Sequence, residues 1–317
     1  MAYLTTTGAL PSTPYGAPGT GRLPALDILC ADIERITIVP RLFALDTGRV
    51  YATAPMLRGV WGAALHDLDP QAYVTVFCGR GPAHDRTPLY VVRPSRLMEY
   101  APALEWISIG AGAFGHDRNL MRAWDIASGK GLGPRREPFR IRHILALGPN
   151  GSSLEEVADP RPWTLNRAGW PIPGDPAITP CRLRFTTPLR LIRDKRLIEQ
   201  PSFADIVLAA MRRIGCFSPR DDAADAYRAL RHAFLDLARN TAAMPWVGNR
   251  CDLVRYSGRQ KQELDFHGVA GYLELPEGPG PVWPALAAAQ WLHIGKGAVV
   301  GMGQLSVEPL TYRSSDS

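Results

Sequence analysis

What this 317-residue sequence lacks narrows it first. It has no run of about 18 apolar residues, so no membrane-spanning helix is predicted. Its start shows no basic stretch followed by an apolar one, which predicts no secretory leader and a cytoplasmic location. Cysteine is sparse: Cys30, Cys78, Cys181, Cys216 and Cys251 lie far apart, odd in number, with no CxxC or metal-ligand spacing. That excludes a disulfide framework and a cysteine metal site, and predicts free thiols in a reducing compartment. HExxH, a serine nucleophile elbow and a carboxylate trio are all missing, as are GxxxxGK[ST] and a dinucleotide fingerprint after an early strand. No metal and no cofactor are therefore expected. Negative charge is in the minority, with 30 acidic residues against 36 lysines and arginines, a formal net charge of +6 and a pI near 9.2. That surplus favours an anionic partner: nucleic acid first, an anionic lipid or acidic protein second.

What is present reads as an α+β chain. Residues 1–27, rich in Gly, Pro, Thr and Ala, are expected to be a flexible tail, with order beginning near Leu29. Arg35 to Leu45 (RITIVPRLFAL) has strand character. Pro40 inside it predicts an edge position or a bulge. MLRGVWGAALHDL after Pro55 predicts a short helix, with Gly59 and Gly62 available for close backbone approach. Short strands are expected near 89–92 and 105–109, a helix over 119–127, then a Gly-Lys-Gly turn and a basic alternating strand. Residues 150–180 form a connector dense in Pro, Gly, Asp and Trp, in which Trp163 and Trp170 are expected to pack between the halves. From Cys181, CRLRFTTPLRLI alternates as a strand. Helical periodicity covers 201–214 and 223–240. Strands are predicted over 250–257 and 266–275, and a helix over 284–292 that runs into a glycine-rich turn and a last strand. The segmentation is thus 28–149, 150–180 and 181–310, with a polar tail at 311–317.

The two halves repeat an order of parts: a proline-containing strand, a helix, and later a helix, a Gly-Lys-Gly turn and a strand. Gly129-Lys130-Gly131 in the first half answers Gly295-Lys296-Gly297 in the second, the latter continued by Gly301 and Gly303. The order β-α-β-β-α-β gives a ferredoxin-like fold; the plain alternative is coincidence in a chain with 30 glycines.

Several stretches in correct order carry a resemblance. RYSGRQ at 255–260, FHGVAGYLEL, WLHIGKGAVVGMGQLSV, RFTTPLRL with PSFADIVLAAMRRI, and LRGVWGAALHDL together resemble the CRISPR-associated RAMP-superfamily endoribonucleases that process precursor CRISPR RNA. The resemblance spans roughly residues 35–310. It implies tandem ferredoxin-like (RRM-like) domains of RAMP type and a glycine-rich loop near the RNA. It also implies metal-independent cleavage within CRISPR repeats, and retention of the crRNA in a complex with other CRISPR effector subunits.

Candidate residues follow from that chemistry. Metal-free RNA cleavage uses the ribose 2′-OH against the adjacent phosphate and needs acid/base groups plus positive charge. In the resemblance a histidine sits on or near the first helix of the N-terminal half. That motif position is Ala63 here, and His66 follows three residues later, on the same face if helical. His66 is the candidate acid/base and Arg58 the candidate charge stabiliser. His293 and His267 rank lower; Tyr256 and Arg259 stay open as histidine-free alternatives. RNA contacts are expected from Lys130, Arg135, Arg136, Arg140 and Arg142, from Arg250, Arg255, Tyr256, Arg259 and Lys261, and from Gly295, Lys296, Gly297, Gly301 and Gly303. Glycine amides would cradle phosphate and Lys296 would add a point charge; the structural alternative is a tight helix–strand connection. A non-catalytic crRNA-binding subunit is the runner-up reading, and an unrelated basic α+β protein the third.

Overall fold

The computed structural model describes residues 24–48, 52–79, 87–95, 103–149, 154–155, 160–220, 223–252, 254–257, 262–265 and 267–310. The expected tail lies outside the described residues up to 23, and its end, 24–27, is helical: α1 spans Pro24–Ile33, with Leu29 and Ile33 buried. There follow β1 (Thr37–Asp46), α2 (Ala54–Leu68), β2 (Tyr90–Pro94), β3 (Ala103–Ile109), α3 (Asp117–Lys130) and β4 (Arg140–Leu147). These strands pair antiparallel in the order β2-β3-β1-β4. The short β5 (Trp163–Thr164) joins the start of β1.

The second half repeats the plan. β6 (Cys181–Leu189) is followed by α4 (Phe203–Phe217), α5 (Ala223–Ala229), α6 (Arg231–Arg239) and β7 (Val247–Cys251). A side hairpin of β8 (Val254–Ser257) and β9 (Gln262–Asp265) precedes β10 (Gly268–Leu275), α7 (Trp283–Leu292) and β11 (Leu305–Pro309). The sheet order is β7-β10-β6-β11, the same permutation as the first sheet. Tandem ferredoxin-like folding is therefore what the chain does.

Several local expectations change. Pro40 is on neither an edge nor a bulge, because β1 is central. It falls between the Ile38–Trp163 and Arg41–Ala146 pairs, where β1 has no partner on that side, so its missing N–H costs no ladder bond. The register shift lies instead at Ala44/Leu45. The helix expected over 223–240 is two helices, and the strand over 250–257 is the end of β7 plus β8. Gly129 and Lys130 belong to the last turn of α3, and the turn begins only at Gly131, whose φ is 74°.

The near-continuous apolarity of β1 has a physical cause: its sheet is covered on both faces. Phe43 and Leu45 join Trp61, Trp106 and Trp124 beneath α2 and α3. Ile38 and Leu42 face the other way, into a core shared with α1, α4 and α7. Strand β6 instead alternates, with Cys181, Leu183 and Phe185 buried and Arg182 and Arg184 on the open face. Trp163, on the strand paired with β1, bridges the halves by meeting Trp291 edge-on at 5.0 Å, while Trp170 of the connector packs on the second half, 6.1 Å from Trp283.

Candidate nucleic-acid interface and catalytic cluster

Helix α2 is set by Thr53, whose hydroxyl accepts from the Met56 N–H, and by Pro55 in the first turn. Its apolar face, Leu57, Trp61, Ala64 and Leu65, is buried. Gly62 exists for close approach: a Cβ there would stand 2.2 Å from the Phe77 ring. The opposite face carries Ala63 and His66, both exposed, so the helical offset between the motif position and the histidine keeps them on one face.

His66 is 62% exposed, with Nδ1 3.5 Å from an Asp67 carboxylate oxygen. Its ring stands edge-on to Tyr73 at 5.0 Å. Lys130, reaching over from the end of α3, donates to the same Asp67 carboxylate. Lys130, and after it His66, hold the Asp67 carboxyl below the usual carboxylate range. The fold thus brings His66 and Lys130, from two helices of the first half, to the one Asp67 carboxylate. Arg58 lies two turns earlier, its Nε donating to the Tyr90 hydroxyl at 2.7 Å and its guanidinium 4.1 Å from the Phe77 ring. Phe77 stacks on Tyr73 at 4.8 Å. An aromatic row therefore links Arg58 to His66, and burial of Tyr90, which pushes its hydroxyl up to about 12, keeps that phenol neutral.

The glycine-rich loop runs from the end of α7 to β11. Gly295, Gly297, Gly301 and Gly303 all have positive φ, between 70° and 90°. A Cβ on Gly303 would sit 1.9 Å from the Ile294 carbonyl oxygen. Part of the expected amide cradle is taken up inside the protein: the N–H groups of Lys296, Val300, Gly301, Met302 and Gly303 donate to protein carbonyls. What the loop turns outward is the exposed Lys296 side chain. Its far end docks on the N-terminal half, where a Cβ on Gly301 would lie 3.2 Å from Ala54 Cβ and 3.1 Å from the Val92 carbonyl oxygen. The loop thus meets α2 one turn before Arg58 and at the end of the helix opposite His66, about 18 Å away at the helical rise.

The remaining candidates fall in two places. Arg135, Arg136, Arg140 and Arg142 are exposed along the turn after α3 and the start of β4. Arg142 donates to Asp46 at 2.7 Å, and Arg140 adds its charge there. Arg250 pairs with Asp252 at 2.9 Å and Glu199 at 3.2 Å. Arg255 and Tyr256 fall on β8, while Arg259 and Lys261 lie outside the described residues. His293 is buried, its Nδ1 2.9 Å from the Met302 carbonyl oxygen. Sequence reading missed a further set: Arg190, Arg193, Arg212, Arg213 and Arg231 line one cavity with Lys296. They come from separate segments, and only the doubled arginine at 212–213 and the Asp-Lys-Arg run at 194–196 hinted at it.

Residues 183–305 match the family described as CRISPR-associated endoribonuclease Cas6. The likeness to that family lies in the second half of the chain. Among solved structures it is similar to Thermus thermophilus Cas6 (TTHB231), at 14% identity and a TM-score of 0.54, over 86% of this chain and 98% of that one. It is also similar to a Cas6 (TTHA0078) product complex, at 18% identity and a TM-score of 0.54, over 86% of this chain and 99% of that one. At such identities these likenesses speak for the fold. Among curated proteins none matches the sequence. The Cas6-matching segment ends at Leu305, so it takes in the glycine-rich loop and the whole arginine-lined cavity. Among the described residues, no helix is long and apolar enough to cross a membrane.

Proposed function

We propose that this chain binds precursor CRISPR RNA and cleaves it within its repeats without a metal, and that it stays on the 3′ hairpin of the crRNA in an effector complex. In this reading His66 takes the proton of a ribose 2′-OH. The 2′-oxygen attacks the adjacent phosphorus and the bond to the 5′-oxygen breaks. That oxygen takes a proton from water and His66 returns its own to solvent, leaving a 2′,3′-cyclic phosphate and a 5′-OH. Arg58 and Lys130 offset the charge of the phosphorane-like state, and Asp67 holds Lys130 beside the imidazole. Lys296 and the arginines of the β4 edge and the β7–β9 region bind the sugar–phosphate backbone.

The observation that carries the reading is the convergence of His66, Asp67 and Lys130 on one exposed patch in a fold whose relatives include a Cas6 product complex. The test is incubation of the purified chain with end-labelled repeat RNA from its own CRISPR array in EDTA. One cut per repeat is expected, slowed by roughly 10²–10⁴-fold in His66→Ala with RNA affinity retained. Intact RNA, or a full rate in that variant, would remove the assignment.

A further inference from the structure

A cavity of about 470 Å³ opens between α4, the glycine-rich loop and the tight hairpin of Ile192–Arg193 with Arg196–Leu197. Six cationic side chains line it: Arg190, Arg193, Arg212, Arg213, Arg231 and Lys296. The carboxylates facing them are only two, Asp194 and Asp205. Asp205 is already engaged, closing the capping box of α4 with Ser202 and pairing with Arg193. Among the described residues no carboxylate is within ion-pair distance of Arg212, Arg213, Arg231 or Lys296.

Arg213 makes this imbalance specific. Its Nε donates to the Leu292 carbonyl at 3.0 Å, and its guanidinium lies 4.6 Å from the Phe217 ring. Its second terminal nitrogen is buried with no hydrogen-bond partner. Burial pulls its pKa down to about 10, as desolvation without a counter-ion must. A half-buried cation with one fully buried, idle donor is costly unless an anion arrives to meet it. The walls between the charges are apolar, from Leu191, Ile198 and Leu208. Outside the mouth, exposed Lys195 and Arg196 extend the positive surface beyond the reach of one small anion.

We infer that this cavity seats one phosphate group of a bound RNA strand, with its sugar against the apolar wall, at a position away from the scissile bond. The inference rests on the RNA-binding reading above. The cavity shares Gly295 and Lys296 with the glycine-rich loop, which meets α2 at the end far from His66. None of the residues assigned to the cleavage step, His66, Arg58 and Lys130, lines the cavity, so it anchors the strand and takes no part in that step.

The test uses the full chain and fluorescein-labelled repeat RNA. Arg212→Gln with Arg231→Gln changes two exposed helix positions and should leave the fold intact. The double variant is expected to bind about tenfold more weakly, with a slope of log affinity against log salt smaller by about one. Its single-turnover cleavage at saturating RNA should match wild type. In a second arm, the melting temperature is read in sodium phosphate and in sodium chloride at matched ionic strength. A phosphate-specific rise that the double variant loses, with RNA binding unchanged, would assign the cavity to free phosphate and overturn the inference. Identical RNA affinity and slope in both proteins would also overturn it while leaving the RNA-cleavage reading standing. Wild-type protein that does not bind the RNA would remove both.

Discussion

His293 enters the glycine-rich loop with φ 56° and ψ 160°, at the border of a region used almost only by glycine. Since a carbonyl can only accept, its Nδ1–H donates to Met302, which leaves Nε2 buried without a partner. Burial, and after it the charge of Arg93, hold its pKa well below the ordinary value. The unfolded chain's histidine takes a proton below about 6.5 while the folded one stays neutral. The unfolded state then binds more protons, so stability should fall as pH drops through that value. Melting temperatures from pH 7.5 to 5 should show this decline, and His293→Asn, which keeps a donor and tolerates positive φ, should flatten it; parallel profiles would contradict the assignment. Lys296→Ala should weaken RNA binding and lower the salt slope by about one, read by anisotropy. At this scale the sequence was legible where helical spacing alone decides, as in the exposed face that Ala63 and His66 share. Lys130 was singled out through the Gly-Lys-Gly echo, but it is a helix residue whose partner is Asp67. The arginines of the cavity were not legible, because no local pattern brings 190, 212 and 231 together.

At the scale of elements, identical residues have opposite meanings according to backbone. Gly303 has φ 70° and would press a Cβ into the Ile294 carbonyl, so Gly303→Ala should destabilise by at least about 1–3 kcal/mol. Gly129 sits inside α3 with nothing near its Cβ position, so Gly129→Ala should stabilise by roughly 0.5–1 kcal/mol. Paired urea melts of the two variants should move in opposite directions. Strand and helix identities were readable from periodicity. Pro40 was not, because the gap between β4 and β5 that accommodates it is made by residues more than 100 positions away. The break at Leu230 between α5 and α6 has no proline or glycine to announce it.

At the scale of the molecule, the halves are joined by a core and by a buried charge. One hydrophobic cluster contains α1, one face of the first sheet and the interior of the second half. Arg93 of β2 pairs with Glu105 and also donates to the Gln290 carbonyl near the end of α7. Helix α7 thus receives an arginine from each half, Arg93 and Arg213, at its carbonyl end. Arg93→Ala strands Glu105 in the interior and should cost about 3–5 kcal/mol, while wild type should unfold in one transition; two separated transitions in calorimetry would contradict a shared core. The doubled platform itself was foreshadowed by the repeated order of parts. The covering of the first sheet on both faces was not, since a buried strand reads alike whichever element covers it. The claim on which the functional account turns is nucleophilic attack by the RNA's own 2′-oxygen, and its most direct test is single-turnover cleavage of repeat RNA carrying one 2′-deoxy sugar immediately 5′ of the cut. The account predicts that this RNA is bound as tightly as the unmodified repeat and is not cut there; cleavage at the same position and rate would contradict it.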